Sequence, residues 1–183
     1  MQYDTVVQFV CFETNIEVAE FVPRWEYYAK RFANKDVEVT LHQETNTKNR
    51  FKYVSQQKCP EDNFQFAFMK GRLSENFPDC NVKVFQAGGY MPVQIECIHD
   101  TDTHDVKLMF FINGLESDIT LYKQLPFYRF LNIYEAYYES CSYQYILEFF
   151  VEEIHARDLM RQLKLRTSDA EIGMYKECMV LSE

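Results

Sequence analysis

The spacing of apolar residues follows the same order twice along this chain of 183 residues, and that order limits the fold more than any other feature. The first half begins with a strand rich in Val and Phe at residues 6–13. A helix follows, because apolar residues then recur at intervals of three and four as one stripe: Val18, Phe21, Trp25, Tyr28 and Phe32. Thr14 and Glu17 have the spacing of a capping box at its start. Residues 37–41 and 51–55 predict one long strand or two, and further strands are predicted at 64–68 and 82–95, with a short helical segment at 71–78. The order of elements counts 37–55 as one strand.

The second half repeats these elements. Residues 106–112 predict a strand, 118–125 a short helix, and 128–139 and 143–153 two strands rich in aromatic residues. In the last of these strands, Tyr145, Leu147 and Phe149 share one face, while Glu148 belongs to a mostly polar opposite face. A helix at 156–165 and a strand at 171–181 complete the order.

Each half therefore reads strand, helix, strand, strand, helix, strand, which is the order of the split βαβ or ferredoxin-like unit. We infer an α+β fold of two tandem ferredoxin-like (βαββαβ) repeats, over residues 1–98 and 105–183. The polar and acidic stretch 99–105 is the predicted junction between them. The duplication is inferred from the order of elements and not from identity between the halves.

Composition predicts a globular protein that needs no crosslinks. Hydrophobic residues make up 47% of the chain, including 16 Phe and 13 Tyr, which is enough to bury a sizeable core. The six cysteines are widely scattered and form no Cys-x-x-Cys pair, so we expect reduced thiols and no zinc site. There is no uncharged apolar run of about 20 residues and no leader-like N-terminus, so we expect no membrane association and a cytoplasmic location.

The net charge of -9 disfavours binding to a phosphate backbone, and we expect no nucleic-acid partner. One local basic cluster interleaved with two aromatic residues leaves single-stranded nucleic acid as an alternative: Lys48, Arg50, Phe51, Lys52, Tyr53 and Lys58. A solvated hairpin with lysines outside and rings inside explains the same residues and is the favoured interpretation.

Two segments resemble a known superfamily. The segment Arg129-Phe130-Leu131-Asn132-Ile133-Tyr134-Glu135, at the start of a strand after a short helix, is similar to the dimeric α+β barrel superfamily, which includes EthD-like and antibiotic-biosynthesis monooxygenase-like proteins. The strand and short helix at 64–78 resemble the same region of the monooxygenase-like members. The resemblance implies two sheets paired as an intramolecular dimeric barrel, with a small-molecule pocket between helices and sheet in each half.

Candidate site residues follow from side-chain chemistry. His42 lies at the polar end of a strand, where it is a candidate base oriented by Glu44 on the same strand face; a surface histidine is the simpler interpretation. A set of aromatic residues is a candidate lining for a flat ligand, and a plain aromatic core is the alternative: Trp25, Tyr28, Tyr53, Phe66, Tyr90, Tyr122, Tyr134 and Tyr145.

We expect neither a metal nor a cofactor. His99 and His104 stand among aspartates, but the segment lacks the Gly and Glu of an EF-hand and is interpreted as a solvated linker. His155 opens the last helix, whereas haem-degrading members of the resembled superfamily place their haem ligand later in the helix. The Gly88-Gly89 pair has no phosphate-binding spacing around it and predicts a β-bulge.

The sequence supports a small-molecule-binding protein, with a cofactor-independent monooxygenase acting on an aromatic or polyketide-like substrate as its enzymatic form. In that form His42 or a pocket tyrosine takes a proton from the substrate, and the carbanion reacts with oxygen directly. Hydrolase, metalloprotease and kinase motifs are absent. The alternative is a non-catalytic protein-interaction or structural module. The expected state is a monomer, as a pseudo-dimer, or a homodimer.

Overall fold

A computed structural model describes residues 5–32, 38–45, 50–60, 73–94, 105–113, 122–125, 128–136, 143–166 and 170–181. The chain has an α+β fold and divides into two compact units. Unit 1 contains Met1–Gly88 and Glu177–Glu183, and unit 2 contains Gly89–Lys176.

Unit 1 is an antiparallel sheet with a long helix on one face. Its described elements are β1 (Thr5–Thr14), α1 (Val18–Phe32), β2 (Glu38–Glu44), β3 (Phe51–Pro60) and most of β4 (Asn81–Gln94). The strands lie in the order β4-β1-β3-β2. Because side chains alternate along a strand, Val10 and Phe12 of β1 and Tyr53 of β3 share one face, and they pack with Phe21 and Trp25 of α1.

Unit 2 has the same arrangement of strands. Its elements are β5 (Asp105–Ile112), β6 (Tyr128–Ala136), β7 (Tyr145–Glu152), α2 (Glu153–Arg166) and most of β8 (Glu171–Leu181), with strand order β8-β5-β7-β6. Leu159 and Leu163 of α2 pack on Leu108, Leu147 and other apolar residues of one sheet face. Each sheet thus turns one face towards its own helix.

The face away from the helix is buried as well in both units. In unit 1 it carries Phe9 and Val54, which are fully buried. In unit 2 it carries Met109 and Ile146, also buried. Sheets that are covered on both faces leave no strand face for polar residues, so each polar side chain found there needs a physical explanation.

The structure tests several of the local predictions. The predicted capping box is wrong. The Thr14 hydroxyl accepts a hydrogen bond from the Ile16 N–H, and the first carbonyl to accept hydrogen bonds from α1 is that of Glu17, just before the helix. The β-bulge is not found on the side of β1, where the register with β4 is unbroken up to Gly88. The predicted strand at 64–68 lies outside the described residues, and so does the first half of the helix predicted at 118–125.

Two further findings concern the cysteines and the predicted absence of a membrane-spanning helix. Among the described residues, Cys11, Cys80 and Cys178 form no disulfide bond. No helix in the described ranges is both long and apolar enough to span a membrane.

Candidate functional site

Three of the predicted aromatic residues meet on the α1-facing side of unit 1. Trp25, Tyr28 and Tyr53 are all buried there. The ring of Phe21 lies parallel to that of Tyr53 with 4.0 Å between centroids. These rings pack together in one apolar core cluster, and flat rings of this kind favour stacked or edge-on contacts with other rings.

A row of polar groups continues from this aromatic cluster along the same sheet face. The indole N–H of Trp25 donates to Ser55 Oγ at 3.0 Å, and the Gln57 amide nitrogen lies 3.5 Å from the same oxygen. Gln57 stands directly opposite Gln8 in the register of β1 and β3. Gln8 is 0% exposed. Alternation therefore places Gln8, Ser55 and Gln57 on one sheet face, and Trp25 contacts this face from α1.

The Gln8 amide is unsatisfied within the part of the chain that the structure describes. Neither its Oε1 nor its Nε2 has a hydrogen-bond partner there, and Gln57 Oε1 lacks one too. Buried side-chain amides are normally hydrogen-bonded, so such a group calls for an explanation. We did not identify Gln8 from the sequence, although a polar residue on the apolar face of β1, beside Val10 and Phe12, was a signal.

Tyr53 is fixed as a neutral phenol. Its hydroxyl donates to the Ile16 carbonyl at 2.7 Å. Burial, reinforced by the neighbouring Cys178 and Glu17, raises the pKa of Tyr53 to about 12. This tyrosine can line a site, but it cannot take a proton from a ligand at neutral pH.

His42 does not join the aromatic cluster. It lies on β2 opposite Val54 of β3, so its side chain points to the face away from α1. It is 4% exposed, which shows that the surface interpretation was wrong. Phe66 lies outside the described residues, and only the backbone of Tyr90, on β4, is described.

The predicted tyrosines of unit 2 are divided between the two faces of its sheet. Tyr122 and Tyr145 belong to the core beneath α2, where the Tyr122 ring packs edge-on against Phe110 at 5.5 Å. Tyr134 lies on the opposite face, one residue from Ile133 of that core. The tyrosines of unit 2 therefore do not line one common surface.

A buried polar cluster in unit 2 was missed in the sequence. Glu148, interpreted as part of a polar face, is 0% exposed. Its Oε2 is 3.0 Å from the Lys107 ammonium, and its Oε1 accepts a hydrogen bond of 2.7 Å from the Asn132 amide. The Tyr134 hydroxyl lies 3.5 Å from Oε1. A lysine within the apolar strand 106–112 was the available signal, because a buried ammonium requires a buried partner.

In the described ranges, no group of three or more His, Cys, Asp or Glu side chains is placed to hold a metal ion. His155 is half-buried in the first turn of α2. His99 and His104 lie outside the described residues. In the basic cluster, Arg50 pairs with Glu13 at 2.7 Å, and the Tyr53 ring is buried rather than available to stack on a base.

Comparison with known proteins places the chain by fold alone. No protein-family model matches it. No curated protein matches it either. A solved anthrone oxidase-like protein is 8% identical with a TM-score of 0.64, and the match covers 98% of this chain and 93% of the other.

Two other solved structures are similar at full length. A proposed monooxygenase from Fusobacterium nucleatum subsp. nucleatum is 9% identical with a TM-score of 0.61, over 100% of this chain and 96% of that one. A mutant chlorite dismutase from Candidatus Nitrospira defluvii is 8% identical with a TM-score of 0.60, over 96% and 93%. The chain therefore shares the ferredoxin-like α+β fold of these solved structures.

Proposed function

We propose that the protein binds a small, flat aromatic molecule of polyketide type on the α1-facing side of the sheet in unit 1. The buried Gln8 amide carries this proposal, because both its polar atoms lack a partner among the described residues. Leaving a buried amide unsatisfied costs about 1–3 kcal/mol. A ligand that pairs with the amide would remove this cost and gain affinity from it.

The chemistry of the site indicates which groups the ligand carries. A glutamine amide offers one donor and one acceptor side by side, so its complement is a carbonyl next to a hydroxyl. The row of Trp25, Ser55 and Gln57 leads from Gln8 to the aromatic rings, which would contact the apolar body of the ligand. A hydroxylated aromatic ketone has both features.

The enzymatic form of this function is a cofactor-independent monooxygenase. The substrate methylene would become a carbonyl with one oxygen atom of O2, the second oxygen atom would leave as water, and the substrate would supply all the electrons. The fold shared with anthrone oxidase-like and monooxygenase-type structures supports this reaction class. The first step is transfer of a proton from an acidic C–H to solvent water, and a proton returns from solvent when the second oxygen atom leaves as water.

We do not assign His42 the role of proton acceptor for a ligand that is bound at Gln8. It lies on the sheet face away from α1, whereas Gln8 and Trp25 share the other face. We expect His42→Ala to leave binding at this site unchanged. If His42→Ala loses binding while its free energy of unfolding is unchanged, His42 contributes to the ligand site.

Fluorescence tests the binding function directly, because Trp25 is the single tryptophan of the chain. Titration with 1-hydroxyanthraquinone, in which the hydroxyl lies beside a carbonyl, should quench Trp25 emission in a saturable way. Gln8→Leu should weaken this binding about tenfold or more, as expected for loss of about 1.4 kcal/mol of hydrogen bonding. Gln56→Leu is the matched control, since Gln56 is buried on the neighbouring strand β3 but on the opposite face of the sheet.

Turnover is tested separately with anthrone as the probe. The monooxygenase form predicts oxygen uptake and anthraquinone formation in equal amounts, without added reductant or cofactor. Saturable binding without oxygen uptake would show that the protein binds the ligand but does not catalyse the proposed reaction. No quenching by aromatic ketones at all would contradict the proposal itself.

We also propose that the two units are tandem ferredoxin-like repeats that pair as an intramolecular dimeric α+β barrel in a cytoplasmic monomer. Support comes from the strand order. If the four strands of each unit are counted from its own first strand, both β4-β1-β3-β2 and β8-β5-β7-β6 have the order 4-1-3-2. A native mass of 22.0 kDa would agree with a monomer, and twice that mass would indicate a homodimer.

The interaction-module alternative has less support. Among the described residues, the large apolar side chains that are exposed include Ile154 and Leu165 of α2. At 1.5 Å per residue they stand about 16 Å apart along the helix, so they do not form one patch.

A further inference from the structure

Unit 2 contains a second buried polar cluster, which is independent of Gln8 and lies on the sheet face away from α2. It consists of Lys107 on β5, Asn132 on β6, and Glu148 on β7 between them. The side chains of Lys107 and Glu148 are 8% and 0% exposed. Burying two opposite charges gains little stability over an apolar pair of the same size, so stability alone does not explain this cluster.

The carboxylate of Glu148 is held in one orientation. The Asn132 amide donates to its Oε1 at 2.7 Å, and the Lys107 ammonium lies 3.0 Å from its Oε2. The same ammonium lies 5.1 Å from the centre of the Phe150 ring, so the lysine head is also fixed. A carboxylate fixed by neighbours in a dry site is the usual arrangement of a general base.

Asn132 provides a second, independent indication of a ligand. The Asn132 amide nitrogen donates to Glu148. This bond fixes the orientation of the amide group, and so it fixes the position of the amide oxygen. That Oδ1 atom is buried and has no hydrogen-bond donor among the described residues. Asn132 itself is 3% exposed. A buried acceptor beside a carboxylate and an ammonium suits a small molecule that brings an O–H or N–H donor.

We infer that Glu148, Lys107 and Asn132 form a proton-transfer site for a small phenol or enol. The ligand hydroxyl contacts Asn132 and Glu148, and its proton passes to the Glu148 carboxylate, which becomes a neutral acid. The ligand keeps the electron pair of its O–H bond and becomes an oxyanion, and the Lys107 ammonium then neutralises that oxyanion. The total charge of the cluster and ligand is the same before and after the transfer.

The probe that tests this site is 4-nitrophenol, because its anion absorbs visible light and its neutral form does not. At a pH where the free probe is mostly neutral, the wild-type protein should increase the anion band in a saturable way. Glu148→Gln should bind the probe without forming the anion, and Asn132→Leu should weaken binding about tenfold. The ether 4-nitroanisole, which has no acidic proton, should give no spectral change.

Two further variants keep the test decisive. If Glu148→Gln does not fold, the double variant Lys107→Met with Glu148→Leu replaces the ion pair by apolar side chains and should fold without forming the anion. Gln8→Leu in unit 1 should leave the anion band unchanged, which separates this site from the proposed ligand site there. Absence of an anion band in the wild type, or an unchanged band in Glu148→Gln or the double variant, would overturn the inference.

Discussion

Gln8 and Gln57 stand directly opposite each other on β1 and β3, yet their amides make no hydrogen bond to each other. Side chains at such paired positions are about 5 Å apart and normally interact. Here Gln57 is directed to Ser55, and both polar atoms of Gln8 remain unsatisfied within the described part of the chain. The pair therefore presents hydrogen-bonding groups to a shared buried surface without satisfying them.

This arrangement predicts that Gln8→Leu stabilises the ligand-free protein. Leucine removes an unsatisfied buried amide and keeps a similar volume, so the free energy of unfolding should rise by about 1–3 kcal/mol. Urea denaturation measures the change. Gln56→Leu is the control and should bring no such gain, because Gln56 is not an unpaired amide. A loss of stability in Gln8→Leu would mean that the amide is satisfied in solution.

Tyr53 predicts a loss of stability at alkaline pH. Its pKa in the folded state is about 12, above the value of about 10 for an unfolded tyrosine, so the folded state resists ionisation. The stability is fully present below pH 10 and falls as the pH rises towards 12. Tyr53→Phe should lower stability at pH 7 by about 1 kcal/mol through the lost bond to the Ile16 carbonyl, and should reduce this alkaline loss.

Urea denaturation at pH 8 and at pH 11 compares the two proteins. The difference in stability between Tyr53→Phe and wild type should shrink or reverse at pH 11. Cys178 contributes in the same direction, because burial raises its pKa to about 11, and therefore both proteins should lose some stability. Equal pH dependence in the two proteins would contradict the assignment to Tyr53.

The Lys107–Glu148 pair predicts a strong coupling between two substitutions. Lys107→Met leaves the fully buried Glu148 without its ammonium partner and should cost about 3–5 kcal/mol, and Glu148→Leu should cost a similar amount. The double variant should be close to wild type, since neither charge then remains buried. A double-mutant cycle in urea measures the coupling, and additive effects would show that the two groups do not interact in solution.

Gly173 predicts a packing constraint on β8. A Cβ added there would lie 2.6 Å from Cε2 of Tyr175, two residues along the same face. Gly173→Ala should therefore displace the Tyr175 ring and cost about 1–3 kcal/mol. Tyr175→Leu combined with Gly173→Ala should recover part of this loss. Thermal unfolding of Gly173→Ala and of the double variant tests the contact, and a neutral Gly173→Ala would show that the ring moves at little cost.

The sequence predicted the order of elements well because that order depends on local periodicity. The stripe from Val18 to Phe32 corresponds to α1, and β8 begins and ends at the predicted residues. The start of α1 was misplaced because Thr14 serves an earlier turn, through its bond to Ile16. A capping pattern in sequence does not distinguish between these two uses of a hydroxyl.

The candidate site was harder to predict because alternation shows which residues share a face but not whether that face is covered. Glu148 was assigned to a polar face on the assumption that one side of its sheet meets solvent, whereas both sides are buried. The same reasoning overlooked Gln8, and it combined His42 with aromatic residues of the opposite face. The aromatic residues Trp25, Tyr28 and Tyr53 do meet in one buried cluster, because the stripes of helix and strands pack together there.

Native mass spectrometry of freshly purified protein, compared with its denatured mass, tests the central claim most directly. We predict a protein of 22.0 kDa that carries one small molecule in its native spectrum and loses it on denaturation, with the extra mass absent from Gln8→Leu. An extra mass that persists unchanged in Gln8→Leu would contradict ligand binding at Gln8. So would wild-type protein that stays bare after incubation with aromatic ketones.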